Sequence, residues 1–197
     1  MYSLILDSAN RDLNIGLAFN GQIVDRISYV AWQRQSELMV KEIDTILKRQ
    51  GITAQDISEV VVTIGPGSYT GIRIALTVAK TLAFALNLKI YAISSLLAQK
   101  APLLRTISVI NARSGRSYVA IYESDGKTLV EEKVWPNDEL LKWIDANRDL
   151  SVSGDAKYLG IKAHQPDVLS GMLEAHKSSL PVPNILTLKP IYLKDLL

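Results

Sequence analysis

The chain has 197 residues, 48% of them hydrophobic, with 22 Lys and Arg against 20 Asp and Glu for a formal net charge of +2; it is long enough to bury a good core in one or two domains and too nearly neutral for strong unaided attraction to nucleic acid or membrane. It has no cysteine, and its only histidines are His164 and His176, which excludes disulfides, thiolate metal sites, cysteine nucleophiles and a helical pair of zinc-ligating histidines. The opening MYSLILD lacks a basic n-region and a long apolar run, and the most apolar helical stretch carries Arg73 and Lys80, so neither a signal peptide nor a membrane span is expected and a soluble cytoplasmic protein is.

In chain order, Tyr2 to Leu6 reads as a buried strand ending at Asp7, and Leu13 to Phe19 as a second whose apolar residues alternate. Asn20-Gly21 is a hairpin turn into a third strand, Ile23 to Val30. Ser36 to Gln50 is predicted as a helix, with Ser36 as N-cap and Met39, Val40, Ile43, Ile46 and Leu47 as its apolar stripe; Leu38 falls off the stripe, and Gly51 is the stop. Glu59 to Ile64 is a strand, Gly71 to Leu86 a helix and Lys89 to Ile93 a strand, after which Ser94-Ser95 caps a short helix ending before Pro102.

The segment from Gly65 to Lys80, GPGSYTGIRIALTVAK, joins strand to helix through a tight turn at Gly65, Pro66 and Gly67, followed by Ser68, Tyr69, Thr70 and Gly71. Ser68 and Thr70 each offer a hydroxyl to the first amides of the helix. Two nucleotide-binding patterns fail in detail. Gly67 and Gly71 are separated by three residues where a P-loop needs four, and Ile72-Arg73 follows where Lys-Ser/Thr is needed. A dinucleotide fingerprint requires glycine at the sixth position, which here is Thr70. The plainer reading is a turn that packs the helix on its sheet. Arg73 in the first helical turn opposes the helix dipole by roughly 0.3–1 kcal/mol, so a negative group is expected beside it. The helix is apolar over most of its circumference, which predicts burial on more than one side.

The second half opens as the first does. Thr106 to Ile110 reaches Asn111, Tyr118 to Tyr122 leads to the turn Asp125-Gly126, and Leu129 to Val134 completes three strands. A helix, Asn137 to Asn147, and a short strand, Val152 to Gly154, follow. The stretch from Ala156 gives no clear pattern, and Pro181, Pro183 and Pro190 predict an extended tail that Ile191-Tyr192-Leu193 closes onto the body. Asp7 to Arg11 before a strand and Asn20-Gly21 parallels Asn111 to Gly115 before a strand and Asp125-Gly126: an internal repeat. Two copies of three antiparallel strands with helices predict an α/β fold with two lobes, a duplicated actin and sugar-kinase-like (ASKHA, RNase H-like) architecture. The expected lobes are 1–102 and a smaller 103–197. In such a fold nucleotide and metal would sit between the lobes near Asp7; Asn111, an amide at the matching position, is a weaker ligand and no general base.

Taken together, GPGSYTGIRIAL, Asp7-Ser8-Ala9, Asn111-Ala112-Arg113 and Pro190-Ile191-Tyr192-Leu193-Lys194 resemble the TsaB (YeaZ) family over nearly the whole chain. The resemblance implies a bacterial accessory subunit for making threonylcarbamoyladenosine next to the anticodon of tRNA. In that family the paralogue TsaD carries the transferase chemistry with an HxxxH metal motif, absent here, and TsaE joins the pair. It further implies pairing with TsaD through the two N-terminal helices, with Leu38, Arg73, Leu76, Thr77, Lys80 and Thr81 as contacts. A homodimer through the same surface, tRNA bound through the complex, no membrane, no catalytic or metal-ligating residue, no cofactor of its own, and ATP or ADP at the subunit junction are also implied. This chain departs from the family's usual His-Ser at Gln35-Ser36, from Asp-Thr-Ser at Asp7-Ser8-Ala9 and from Asp-Ala-Arg at Asn111. The alternatives are an ATP-dependent kinase or phosphatase using Asp7 and Asp155, and a peptidase, which has no G-x-S-x-G elbow to support it.

Overall fold

The computed structural model describes residues 1–193; Lys194, the last residue of the tail motif, lies outside the described residues. Strands β1 (Tyr2–Asp7), β2 (Asp12–Phe19), β3 (Gln22–Val30), β4 (Ile57–Thr63) and β5 (Lys89–Ile93) form one sheet in the order β3-β2-β1-β4-β5. β1 runs antiparallel to β2 and parallel to β4, and β4 parallel to β5. Strands β6 (Thr106–Arg113), β7 (Arg116–Tyr122), β8 (Thr128–Pro136) and β9 (Ser151–Gly154) form the second sheet, β8-β7-β6-β9, again with the first strand antiparallel to its hairpin partner and parallel to the next. The predicted repeat is thus a repeat of sheet topology, and the molecule is a duplicated α/β protein with two sheets.

The middles of the central strands, residues 4–6 of β1 and 60–62 of β4, are continuously apolar because both faces are covered. Leu4, Leu6, Val60 and Val62 point to one side, where helices α1 (Gln35–Arg49) and α2 (Tyr69–Leu86) supply Met39, Ile43, Ile46, Ala75, Leu76 and Ala79. Ile5 and Val61 point to the other, where Leu169, Met172 and Leu173 of α4 (Val168–His176) close the second core. Alternation along each strand sets this division. Helix α3 (Asn137–Ala146) covers the second sheet with Leu140 over Ile107, Val109, Val119 and Ile121.

Several expectations are corrected. α1 starts at Gln35, with Arg34 at its N-cap position and no side-chain cap, so Ser36 is not the cap. Val40, assigned to the stripe, is 61% exposed, while Leu38 packs on the first core; α1 and α2 lie side by side, a covered flank that periodicity alone does not reveal. The short helix after Ser94-Ser95 is a 3₁₀ turn, Leu97–Gln99, whose first amides are capped by Ser94 Oγ. The unpatterned stretch contains α4. Residues 168–191, placed with the smaller lobe in the 103–197 division, pack against the first sheet: Val182 N donates to Ile90 O (2.8 Å) and Ile191 N to Ile64 O (2.7 Å). Proline leaves these backbones extended and free to pair with the first lobe. α2, with 18 residues, has the length and apolarity of a membrane span, but its buried side packs on β4 as a core helix does.

Candidate partner interface and inter-lobe cleft

The glycine turn is built for contact between backbones. A Cβ on Gly71 would lie 1.9 Å from Ser8 O, on Gly67 2.4 Å from Ala9 O, and on Gly65 2.6 Å from Ile191 O. Only glycine allows the N-terminus of α2 to press against the loop after β1 and against the tail. Ser68 N donates to Ala9 O (2.7 Å), Ser8 Oγ donates to Gly71 O (2.8 Å), and Ser68 Oγ caps the helix by accepting from Gly71 N. The Ser68 amide and the close approach of these glycines are therefore spent on the chain's own carbonyls, in keeping with a packing turn.

Beyond that turn α2 presents an open flank. Arg73, Thr77 and Thr81 are exposed at four-residue spacing, as are Tyr69 and Thr70, and Phe84 is 79% exposed. Thr70, Arg73, Ile74, Thr77 and Val78 line a shallow groove of 340 Å³ with Ser36 of α1 and Tyr69. Leu76, expected at this surface, is only 4% exposed and belongs to the chain's own core, because an apolar helix does not reveal from its sequence which side meets the sheet. Lys80 is half-buried, and its Nζ donates to Leu188 O (3.1 Å) and Leu186 O (3.4 Å), tying α2 to the tail. Leu38 is half-buried on α1. Of the six expected contacts, Arg73, Thr77 and Thr81 share the open flank.

The negative group expected beside Arg73 is not a carboxylate among the described residues. The guanidinium instead donates to Tyr69 Oη and lies 5.1 Å from that ring's centroid, and Tyr69 stacks on Tyr192 at 5.1 Å. Burial, then the neighbouring Tyr69, raises the Tyr192 phenol above its ordinary pKa. The tail motif thus sets its Tyr192 on the aromatic side chain that holds the flank's cation.

The second feature is a cleft of 480 Å³ between the sheets, lined by Asp7, Asp12, Gln99, Asn111, Asp155 and Tyr158 among others. Asp7, at the end of β1, is buried and held by its own lobe: Oδ1 accepts from Thr63 Oγ1 (2.6 Å) and Ala9 N (3.1 Å), and Oδ2 from Asn14 Nδ2 (2.8 Å). Both lone pairs of Oδ1 are filled, leaving one acceptor direction on Oδ2. Asn111, at the corresponding end of β6, uses Oδ1 to accept from Arg113 N (2.8 Å). Asp12 is pushed above the usual carboxylate pKa by burial, then by Asp7 and Asp155, and Tyr158 is pushed up to about 12 by burial. No group of three His, Asp or Glu side chains suited to a metal ion occurs among the described residues. A metal-and-nucleotide cradle of the kind the fold family uses fits poorly here: its principal carboxylate is engaged and its counterpart is an amide. Asn14 and Thr63 were missed from sequence, although a polar residue at a buried position of each apolar strand is a readable sign of a partner.

These features define a two-lobed α/β protein of the actin and sugar-kinase class whose inter-lobe carboxylate is structurally committed. A family model described as TsaD, tRNA N6-adenosine threonylcarbamoyltransferase, matches residues 29–171. An uncharacterised protein of Mycoplasma genitalium is 32% identical over 98% of this chain and 95% of its own length. The tRNA threonylcarbamoyladenosine biosynthesis protein TsaB of Bacillus subtilis is 33% identical over 74% of this chain, which spans 65% of that relative. YeaZ from Pseudomonas aeruginosa superimposes with a TM-score of 0.76, at 22% identity, over 98% of this chain and 99% of that one. The chain belongs to the TsaB (YeaZ) family.

Proposed function

We propose that this chain is an accessory subunit for the synthesis of threonylcarbamoyladenosine in tRNA, binding TsaD, and with it TsaE, in the cytoplasm without an active site of its own. The observation that carries the reading is the open flank of α2, an apolar helix whose inner side is buried in its own lobe while Tyr69, Thr70, Arg73, Thr77, Thr81 and Phe84 face outward. Exposed apolar and aromatic surface next to a cation without a carboxylate is what an interface with another protein uses. Family membership supports TsaD as its occupant, and a second copy of this chain occupies it when TsaD is absent. ATP or ADP belongs to the junction of the subunits and not to the cleft. The competing kinase or phosphatase reading needs Asp7 free to bind metal or accept a proton, against three hydrogen bonds that hold it in place.

Arg73→Glu combined with Thr77→Glu is expected to weaken TsaD binding at least about tenfold, as loss of a central interface residue does, with the melting temperature unchanged because both side chains are exposed. Lys80 is left intact because it holds the tail. Titration calorimetry giving the wild-type affinity for the double variant would refute the interface. Hydrolysis of ATP by the purified chain, abolished by Asp7→Asn, would favour the enzyme reading instead.

A further inference from the structure

Three side chains far apart in sequence meet at the rim of the cleft. The guanidinium carbon of Arg11 lies 5.1 Å from the centroid of the Trp32 ring, and that of Arg113 lies 5.7 Å from the same centroid. Arg11 belongs to the β1–β2 loop of the first lobe, Trp32 to the loop before α1, and Arg113 to the tip of the β6–β7 hairpin of the second lobe. All three are exposed, Trp32 by 42%. Arg11 itself lines the cleft, as do Val30 and Asn111, each two residues from Trp32 and Arg113 respectively.

Two guanidinium groups against one ring repel each other, and the ring quadrupole offsets only part of that repulsion. Five other arginines, Arg26, Arg34, Arg49, Arg105 and Arg148, each meet a carboxylate. Neither Arg11 nor Arg113 has one among the described residues. The backbones that carry them are fixed. Arg11 O accepts from Ala31 N (3.1 Å), and the buried Gln35 amide donates to Asn10 O and Arg11 O (3.4 Å each). Arg113 sits in a turn with φ of 65° that Asn111 Oδ1 holds from below. The pair is a preorganised set of cations lacking an anion.

We propose that Arg11 and Arg113, steadied by Trp32, form a fork for the phosphate backbone of RNA at the mouth of the inter-lobe cleft. The choice of RNA rests on the reading of the chain as a subunit of a tRNA-modifying assembly; the geometry itself specifies phosphate. Asp7, Asp12 and Asp155 line the same cleft and repel an anion from its floor, so phosphate is held at the rim. Because each arginine belongs to a different lobe, a polyanion there bridges the lobes. With a net charge of only +2, the contact is local and salt-sensitive.

The test is fluorescence anisotropy of the full chain with a labelled unmodified tRNA transcript, across about 20 to 200 mM monovalent salt. Arg11→Ala/Arg113→Ala is expected to weaken binding about tenfold at the lowest salt and to flatten the slope of log affinity against log salt by about 1.5–2. Arg11→Lys/Arg113→Lys keeps the charge and is expected to retain most of the binding. Absence of tRNA binding by the wild-type chain, or an unchanged salt slope in the alanine variant, overturns the proposal. Competition by ATP with the same arginine dependence would mark a free-nucleotide site and overturn the assignment to RNA. TsaD affinity, measured on the same variants, is expected to be unchanged; if it falls with tRNA binding, the arginines belong to the protein interface. Failure of the α2 variant to disturb TsaD leaves the arginine result standing by itself.

Discussion

The two sheets share one topology and differ in what is attached to it. In the first, the end of the leading strand carries a carboxylate held by Thr63, Asn14 and the Ala9 amide. In the second, the same place carries Asn111, half-exposed and bonded to the Arg113 amide. The first sheet has a fifth strand and a glycine turn that brings α2 against the loop after β1; the second has α3 on one face only. A duplicated sheet therefore persists without a duplicated site. Strand pairing depends on alternation and backbone, which many sequences supply, whereas a site depends on particular side chains and survives only where something uses it.

Substitution at matched places sharpens the contrast. Gly71→Ala would drive a Cβ into the Ser8 carbonyl, and urea unfolding is expected to show a loss of at least about 3 kcal/mol. For contrast, Gly115→Ala in the β6–β7 turn of the second lobe puts a Cβ into open space but at a φ of +72°; it is expected to cost roughly 1–2 kcal/mol. Equal losses would mean that the close approach in the first lobe is not what restricts the turn. Asp7→Ala leaves a buried hydroxyl, an amide side chain and a backbone N–H without their acceptor, for an expected loss of about 2–4 kcal/mol. Asn111→Ala frees one amide near solvent and is expected to cost about 1 kcal/mol or less, measured by the same unfolding experiment.

The smallest effect concerns pH. The fold raises the Asp12 pKa through burial, then through Asp7 and Asp155, so the folded state binds the proton more tightly than the unfolded chain does. Ionisation of Asp12 therefore lowers stability as pH rises from its ordinary carboxylate value through the raised one. Asp12→Asn is expected to melt at a higher temperature than wild type near neutral pH, with the difference vanishing below pH of about 4. A difference independent of pH would assign the effect to packing.

Most of the scaffold was legible in the residues. Alternation in β2, the turns Asn20-Gly21 and Asp125-Gly126, and the apolar run of residues 60–62 in β4 each define their element locally. Helix α4 was not, because VLSGMLEAH is short and carries Ser170 and Gly171 where a helix former is usual. Its reason lies elsewhere in the fold: a Cβ on Gly171 would meet Ala98 O at 2.1 Å, so a poor helix residue is required by close packing. The open flank was half legible. Arg73 and Thr77 follow from helical spacing and Thr81 from the family resemblance, but Leu76 was misplaced because most of the circumference of α2 is apolar enough to face a sheet. The meeting of Arg11, Trp32 and Arg113 was invisible, since three loops from two lobes bring those residues together and no periodicity links them.

The return of residues 168–192 to the first sheet bears on how the molecule comes into being. A ribosome delivers β1 to β5 long before it delivers α4 and the strand-like tail, so Ile5 and Val61 wait with one side bare while the entire second lobe is made. Birth order and assembly order are thus reversed for this lobe: the sheet made before the second lobe is sealed only by segments made after it.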